Sequence, residues 1–258
     1  MTTFVIARNT FGEALRKRIL WIFVIMTIAL IALTVSFSQF TFREQLIVIR
    51  SLGLGLIAMV GLLIVLMLGI NLMSVEIERR TIYTILSKPV RRHEFLLGKF
   101  FGAMLTLIVN LSLMSLVFVA MVTWKNNWHL ELNLLKGTMM IFFELLIVGS
   151  VAMLFSVFTT PVVNFFLTSA VFIVGSLSDY TQSMASAENQ SIGAKICYTV
   201  LHWATPQLGN YNIQNPLIHP NAVITSELRY YVINIIQALM WTAILLIISV
   251  LVFEKRDM

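Results

Sequence analysis

The sequence predicts an all-α polytopic membrane protein with six transmembrane helices, and three observations carry that prediction. Hydrophobic residues make up 59% of the 258-residue chain and charged residues 12%, against about 45–50% and about 25% in soluble domains. Mean hydropathy is +0.89, so a bilayer rather than water is the solvent that this chain is written for. The apolar residues gather into six runs, at 19–38, 52–74, 97–123, 134–158, 161–178 and 231–253, each near the roughly 20 residues that cross about 30 Å of hydrocarbon. The net charge of +6 comes from Lys and Arg flanking these runs, which is a topology signal and not a nucleic-acid surface.

Taken in order, residues 1–18 read as an amphipathic interfacial helix. Phe4, Ala7, Phe11 and Leu15 share one side, while Arg8, Arg16, Lys17 and Arg18 reach toward headgroups. The first apolar run is long enough to span and has no small-residue cleavage site after it, so it reads as a retained anchor. With the N-terminus inside, the inner segments hold twelve Lys and Arg (Arg8, Arg16, Lys17, Arg18, Arg79, Arg80, Lys88, Arg91, Arg92, Lys99, Lys255, Arg256). The outer segments hold six (Arg43, Arg50, Lys125, Lys136, Lys195, Arg229). That asymmetry predicts both termini on the cytoplasmic side. The fourth run carries Glu144 and the fifth, opened by Pro161, is short. Residues 179–230 form a long outer loop. Within it, Ile192, Ile196, Val200 and Trp203 predict a helical segment ended by Pro206, and the Asn-, Pro- and Gly-rich remainder predicts ordered turns.

Between the second and third runs the chain crowds its charge. Residues 75–102 read VEIERRTIYTILSKPVRRHEFLLGKFFG and hold a third of all Lys and Arg. Ile77, Thr81, Ile85 and Leu86 recur at helical spacing, and Pro89 stops that helix by forcing Lys88 out of the α region. A second helix starts near Arg91 and runs into the third span. Gly98 and Gly102 form a GxxxG at its start, where another helix can approach closely. Positive-inside bias explains the arginines but not Glu76 and Glu78, because acidic residues contribute little to orientation. A rigidly punctuated surface of mixed charge suits the docking of a protein partner.

Glu76-x-Glu78-Arg79-x-Thr81, Leu86-Ser87-x-Pro89-Val90-x-Arg92 and Gly98-Lys99 together resemble the cytoplasmic signature of type-2 ABC exporter permeases. In detail they are similar to the branch tied to multicopper-enzyme maturation, although Arg80 stands where a typical member has Gly. The resemblance implies that 1–258 is a single permease domain and that 75–94 is a cytoplasmic coupling segment whose helix docks into a separate ATPase. Its docking residues would be Glu76, Glu78, Arg79, Arg80, Thr81, Ile85, Leu86, Ser87, Pro89 and Arg92. It further implies two permease copies, a homodimer or a heterodimer, with two cytosolic ATPase subunits holding ATP and Mg, in a bacterial or archaeal plasma membrane. The chain itself carries no nucleotide site, since Gly98-Lys99 is followed by Phe100 and His93 stands where a P-loop needs its first Gly.

Outside the connector, Glu144 is the candidate intramembrane polar site, because a carboxylate within a span is costly to bury. Asn71, Asn110, Asn164, Asn234 and Gln237 read as interhelical hydrogen-bonding groups. No metal site is expected, because His93, His129, His202, His219 and the single Cys197 show no ligand spacing. No catalytic cluster is expected either, which disfavours an enzyme or scaffold. Export driven by a separate ATPase is the leading expectation. The alternative is ATP-driven motion passed through 179–230 to an extracytoplasmic partner without transport.

Overall fold

The computed structural model of the chain describes residues 2–16, 18–37, 45–72, 91–125, 133–178, 205–212 and 227–255. Among the described residues the architecture is entirely helical: α1 (Thr2–Arg16), α2 (Arg18–Phe37), α3 (Gln45–Leu72), α4 (Arg92–Lys125), α5 (Asn133–Phe158), α6 (Pro161–Ser176) and α7 (Glu227–Lys255), with a 3-10 turn at Gly209–Asn212. Helices are what apolar runs must form when no water is present to satisfy the backbone. Ile49–Gly69, Arg92–Trp124, Leu134–Phe158 and Leu228–Lys255 are long and apolar enough to cross a bilayer, while α2 and α6 offer the shorter stretches Trp21–Leu33 and Pro161–Ser176. The chain is therefore multi-pass.

The turn between α5 and α6 follows from one residue. Pro161 pushes Thr160 into extended backbone, at φ −73° and ψ 159°, and then serves as the first residue of α6. α5 is the centre of the bundle and packs on α3, α4, α6, α7 and the 3-10 turn. Its Met140, Met153 and Val157 are fully buried, as are Ile64 of α3 and Leu107 and Phe118 of α4.

Helices in lipid gain little from burying apolar surface against one another, so small residues that permit close contact decide where they meet. A Cβ on Gly69 of α3 would stand 2.7 Å from the Cβ of Ala152 on α5. At the same place the Asn164 amide of α6 donates to the Gly69 carbonyl at 3.1 Å, and the Thr168 hydroxyl donates to Asn164 Oδ1 at 3.1 Å. Such interhelical bonds are worth about 0.6 kcal/mol on average and up to about 1.7 kcal/mol in membrane bundles. Asn164 is thus an interhelical tie. Asn110 is not: its amide folds back onto the Thr106 carbonyl of its own helix at 2.8 Å, and Thr106 in turn donates to the Gly102 carbonyl at 2.9 Å. The Asn234 amide likewise returns to its own helix, at the Tyr230 carbonyl.

α1 lies along the first turns of α4. A Cβ on Gly98 would meet the Ile6 Cβ at 2.8 Å and the Thr3 carbonyl oxygen at 2.9 Å. One on Gly102 would meet the Ala7 carbonyl oxygen at 2.6 Å. The side turned to the bundle is therefore Thr3, Ile6, Ala7, Thr10 and the buried Ala14. Phe4, on the apolar side expected to lie in the interface, is 75% exposed and outside this contact. Trp21, early in α2, donates its indole N–H to the Leu15 carbonyl at 3.2 Å and so satisfies one of the open carbonyls at the end of α1.

Candidate functional site

The two ends of the bundle are conveniently named by α4 and α5, one by Arg92 and the other by Asn133. Glu144 sits about 16 Å along α5 from its Asn133 end, at 1.5 Å per residue. It is 6% exposed, and among the described residues its carboxylate makes no hydrogen bond or ion pair. The neighbouring helical positions Met140, Ile141, Ile147 and Val148 are all buried. An ionisable group in such a place defaults to a functional role.

What covers this region is the segment 205–212. Its backbone is non-helical up to Gly209, and non-helical backbone at membrane depth is tolerated only where protein buries it. Leu208 and Tyr211 are each 1% exposed. The Leu208 N–H donates to the Gly175 carbonyl at the end of α6, at 3.0 Å, and a Cβ on Gly175 would stand 2.7 Å from the Pro206 carbonyl oxygen. From the other side, the Tyr211 hydroxyl donates to the Asn234 backbone carbonyl at 2.9 Å, and the Tyr230 hydroxyl donates to the Asn210 carbonyl. Asn234 lies seven residues into α7, so the segment reaches about 10 Å below that helix's start. The Tyr211 phenol is held above its ordinary pKa, first by burial and then by the neighbouring Glu144 and Tyr230. It therefore stays a neutral donor, and its proton goes to Asn234 and not to Glu144. The arrangement is a buried carboxyl group, without a hydrogen bond among the described residues, beneath an inward-folded, hydrogen-bonded segment.

A second concavity is an open groove of about 360 Å³ between α4 and α5, lined by Ile108, Leu111, Ser115, Thr138, Met139 and Phe142 among others. Two of its three hydroxyls bond their own helix, Ser115 on the Ser112 carbonyl at 3.1 Å and Thr138 on the Leu134 carbonyl at 3.2 Å. It presents hydrocarbon. By helical spacing its α5 residues occupy a different side from Glu144.

At the opposite end of the bundle, Arg92 opens α4 and reaches the end of α7. Its guanidinium donates to the Phe253 carbonyl at 3.3 Å and to the Glu254 carbonyl at 3.2 Å, and lies 6.0 Å from the centre of the Phe253 ring. His93 Nδ1 is 3.7 Å from Glu254 Oε1. Arg92 is therefore engaged within the chain. Glu76, Glu78, Arg79, Arg80, Thr81, Ile85, Leu86, Ser87 and Pro89 lie outside the described residues, as do His129, Cys197, His202 and His219 and the helix expected at 192–203. Among the described residues no three His, Cys, Asp or Glu could share a metal ion.

Gly98 and Gly102 sit against α1, far from Glu144 along α4 and α5. Tyr211, Tyr230 and the backbone of Asn234 were not legible as site groups, since no spacing links a loop tyrosine to a helix 23 residues away. A family model described as ABC-2 family transporter protein matches residues 4–258. No curated protein matches the chain closely enough to count as a relative.

Proposed function

The chain belongs to the ABC-2 transporter family, and on that premise we propose that it is the membrane half of an ATP-driven exporter. Membership makes it a multi-pass permease subunit of an ABC transporter, a class that works with an ABC ATPase subunit. The match across 4–258 carries the proposal. Two permease copies would pair and bind two ATPase subunits that hold ATP and Mg. All six apolar helices would cross the plasma membrane, with the Arg92 end and both termini cytoplasmic and α1 at the inner interface. The charge asymmetry supports this orientation. Residues 75–94 would be the coupling segment, with Glu76 and Glu78 meeting basic residues of the ATPase.

In this orientation 205–212 folds inward from the outer side, and Glu144 lies on the route beneath it. A buried carboxyl group there suits a donor-bearing group of the cargo. The ties from 205–212 to α6 and α7 also favour a second reading, in which ATP-driven motion is delivered to a partner held by 179–230. Kinship to the branch tied to multicopper-enzyme maturation rests on residues 76–99 alone.

The docking claim is tested by reversing both acids, Glu76→Lys with Glu78→Lys. Membrane insertion should survive, while co-purification of the ATPase should fall by about tenfold or more, as expected when buried charge contacts worth about 2–5 kcal/mol are lost. A variant that still co-purifies a fully stimulated ATPase would sink it.

A further inference from the structure

We propose that α7 is a rigid strut joining the exit of the charged connector to the inward-folded segment 205–212, with Arg92 and Tyr230 as the positioning residues at its two ends. Four observations meet in this helix. At one end a single terminal nitrogen of Arg92 donates to both of the last carbonyls, Phe253 and Glu254, with the guanidinium beside the Phe253 ring, and His93 stands by Glu254. Those carbonyls have no partner within the helix and carry the negative end of its dipole, so an arginine is well matched to hold them. At the other end the Tyr230 hydroxyl and the Asn234 carbonyl hold Asn210 and Tyr211. Between Asn234 and Phe253 run 19 residues, about 28 Å of helix at 1.5 Å per residue.

The helix is built not to bend along that length. Residues 227–255 contain neither glycine nor proline, the usual sources of a kink. Of the four long spans α7 is also the least buried within the bundle, so its outward flank meets little protein that would hold it in place. A displacement of Arg92 would then move the whole helix and shift the hydroxyl and carbonyl that hold 205–212. α4 begins at Arg92, directly after the connector. The strut takes its purpose from the ATP-coupled reading, but its existence can be tested without nucleotide.

The experiment places a single reporter, Gln207→Cys in a Cys197→Ser background, in the full chain in lipid nanodiscs. It then measures the rate of reaction with a membrane-impermeant maleimide. Tyr230→Phe, which removes one outer tie directly, should change the rate. Arg92→Ala should change it by at least about fivefold, the lower end of ordinary coupling between distant sites. The double variant should match the larger single effect rather than the product of the two. A rate indifferent to Arg92→Ala, or two effects that simply multiply, overturns the strut. Should Arg92→Ala not fold, Arg92→Lys is read in its place. It keeps the cation and loses the planar guanidinium beside the Phe253 ring, and a shift of about twofold or more supports the strut while none overturns it. Adding the ATPase and ATP separates the two ideas. Nucleotide-free coupling supports the strut whether or not ATP moves residue 207, whereas an ATP-insensitive wild-type complex counts against the ATP-coupled reading alone.

Discussion

At position 144 a leucine would fill the same space in α5 without the cost of a buried carboxylate. That cost is what makes Glu144→Gln informative, since the amide keeps the shape and removes the charge. We expect near-normal abundance and thermal midpoint. The ATPase rate of the assembled complex in proteoliposomes should change by about tenfold or more, since losing one hydrogen bond to a charged group at about 1.5–3 kcal/mol corresponds to about 12- to 160-fold. An unchanged rate would return Glu144 to a packing role. Glu144 could be read from the sequence because a charge in an apolar run has no local excuse. Asn164 and Asn110 could not be told apart in the same way: each is one amide in an apolar run. The first reaches the Gly69 carbonyl because α3, α5 and α6 meet closely at Gly69 and Ala152, while the second bonds its own helix. That outcome depends on the rotation of whole helices, which no single residue encodes.

α1 illustrates the same limit for an element. Its helical period and its amphipathic character were legible, but the side that meets the bundle was not read from the sequence. In lipid, close backbone approach favours small residues at a helix contact. Thr3, Ala7 and Thr10 therefore meet Gly98 and Gly102, and Phe4 and Val5 turn away. Two glycine-to-alanine changes separate packing from propensity. Alanine ordinarily stabilises a helix by about 1 kcal/mol relative to glycine. At Gly55 a Cβ meets nothing within 4 Å, so Gly55→Ala should raise the thermal midpoint in detergent. At Gly102 the Cβ would press on a backbone oxygen at 2.6 Å, and overpacking costs about 1–3 kcal/mol. Gly102→Ala should therefore lower the midpoint and loosen α1. If both variants rise together, α1 is not packed as described.

For the whole molecule, the all-helical, multi-pass character was legible because a bilayer leaves the backbone few alternatives, and among the described residues four of the six expected spans are long and apolar enough to cross. Pro161 marked one turn and the charge pattern suggested the sides. The return of 205–212 into the bundle was not legible. Its Asn, Pro and Gly look like a surface turn, and only the partners Gly175, Tyr230 and Asn234 make its burial affordable. Among the four long spans α5 is the most buried and α7 the least. Hydrogen exchange in mild detergent should therefore be slowest over Met140–Met153 of α5 and faster along α7, since local opening follows the density of buried contacts. Exchange slowest in α7 would contradict that hierarchy.

The seating of α1 on Gly98 and Gly102 also bears on how the protein is made. Ile6 leaves the ribosome 92 residues before Gly98, which at about 5–20 residues per second is a wait of roughly 5 to 18 seconds. Throughout that interval the newborn helix lacks its main packing surface, on α4, and it must rest where Phe4 and Val5 are tolerated and Arg8 and Arg16 stay wet. The membrane interface is such a place. Phe4, 75% exposed in the finished bundle, is then expected to moor the helix there during synthesis, until the third span arrives.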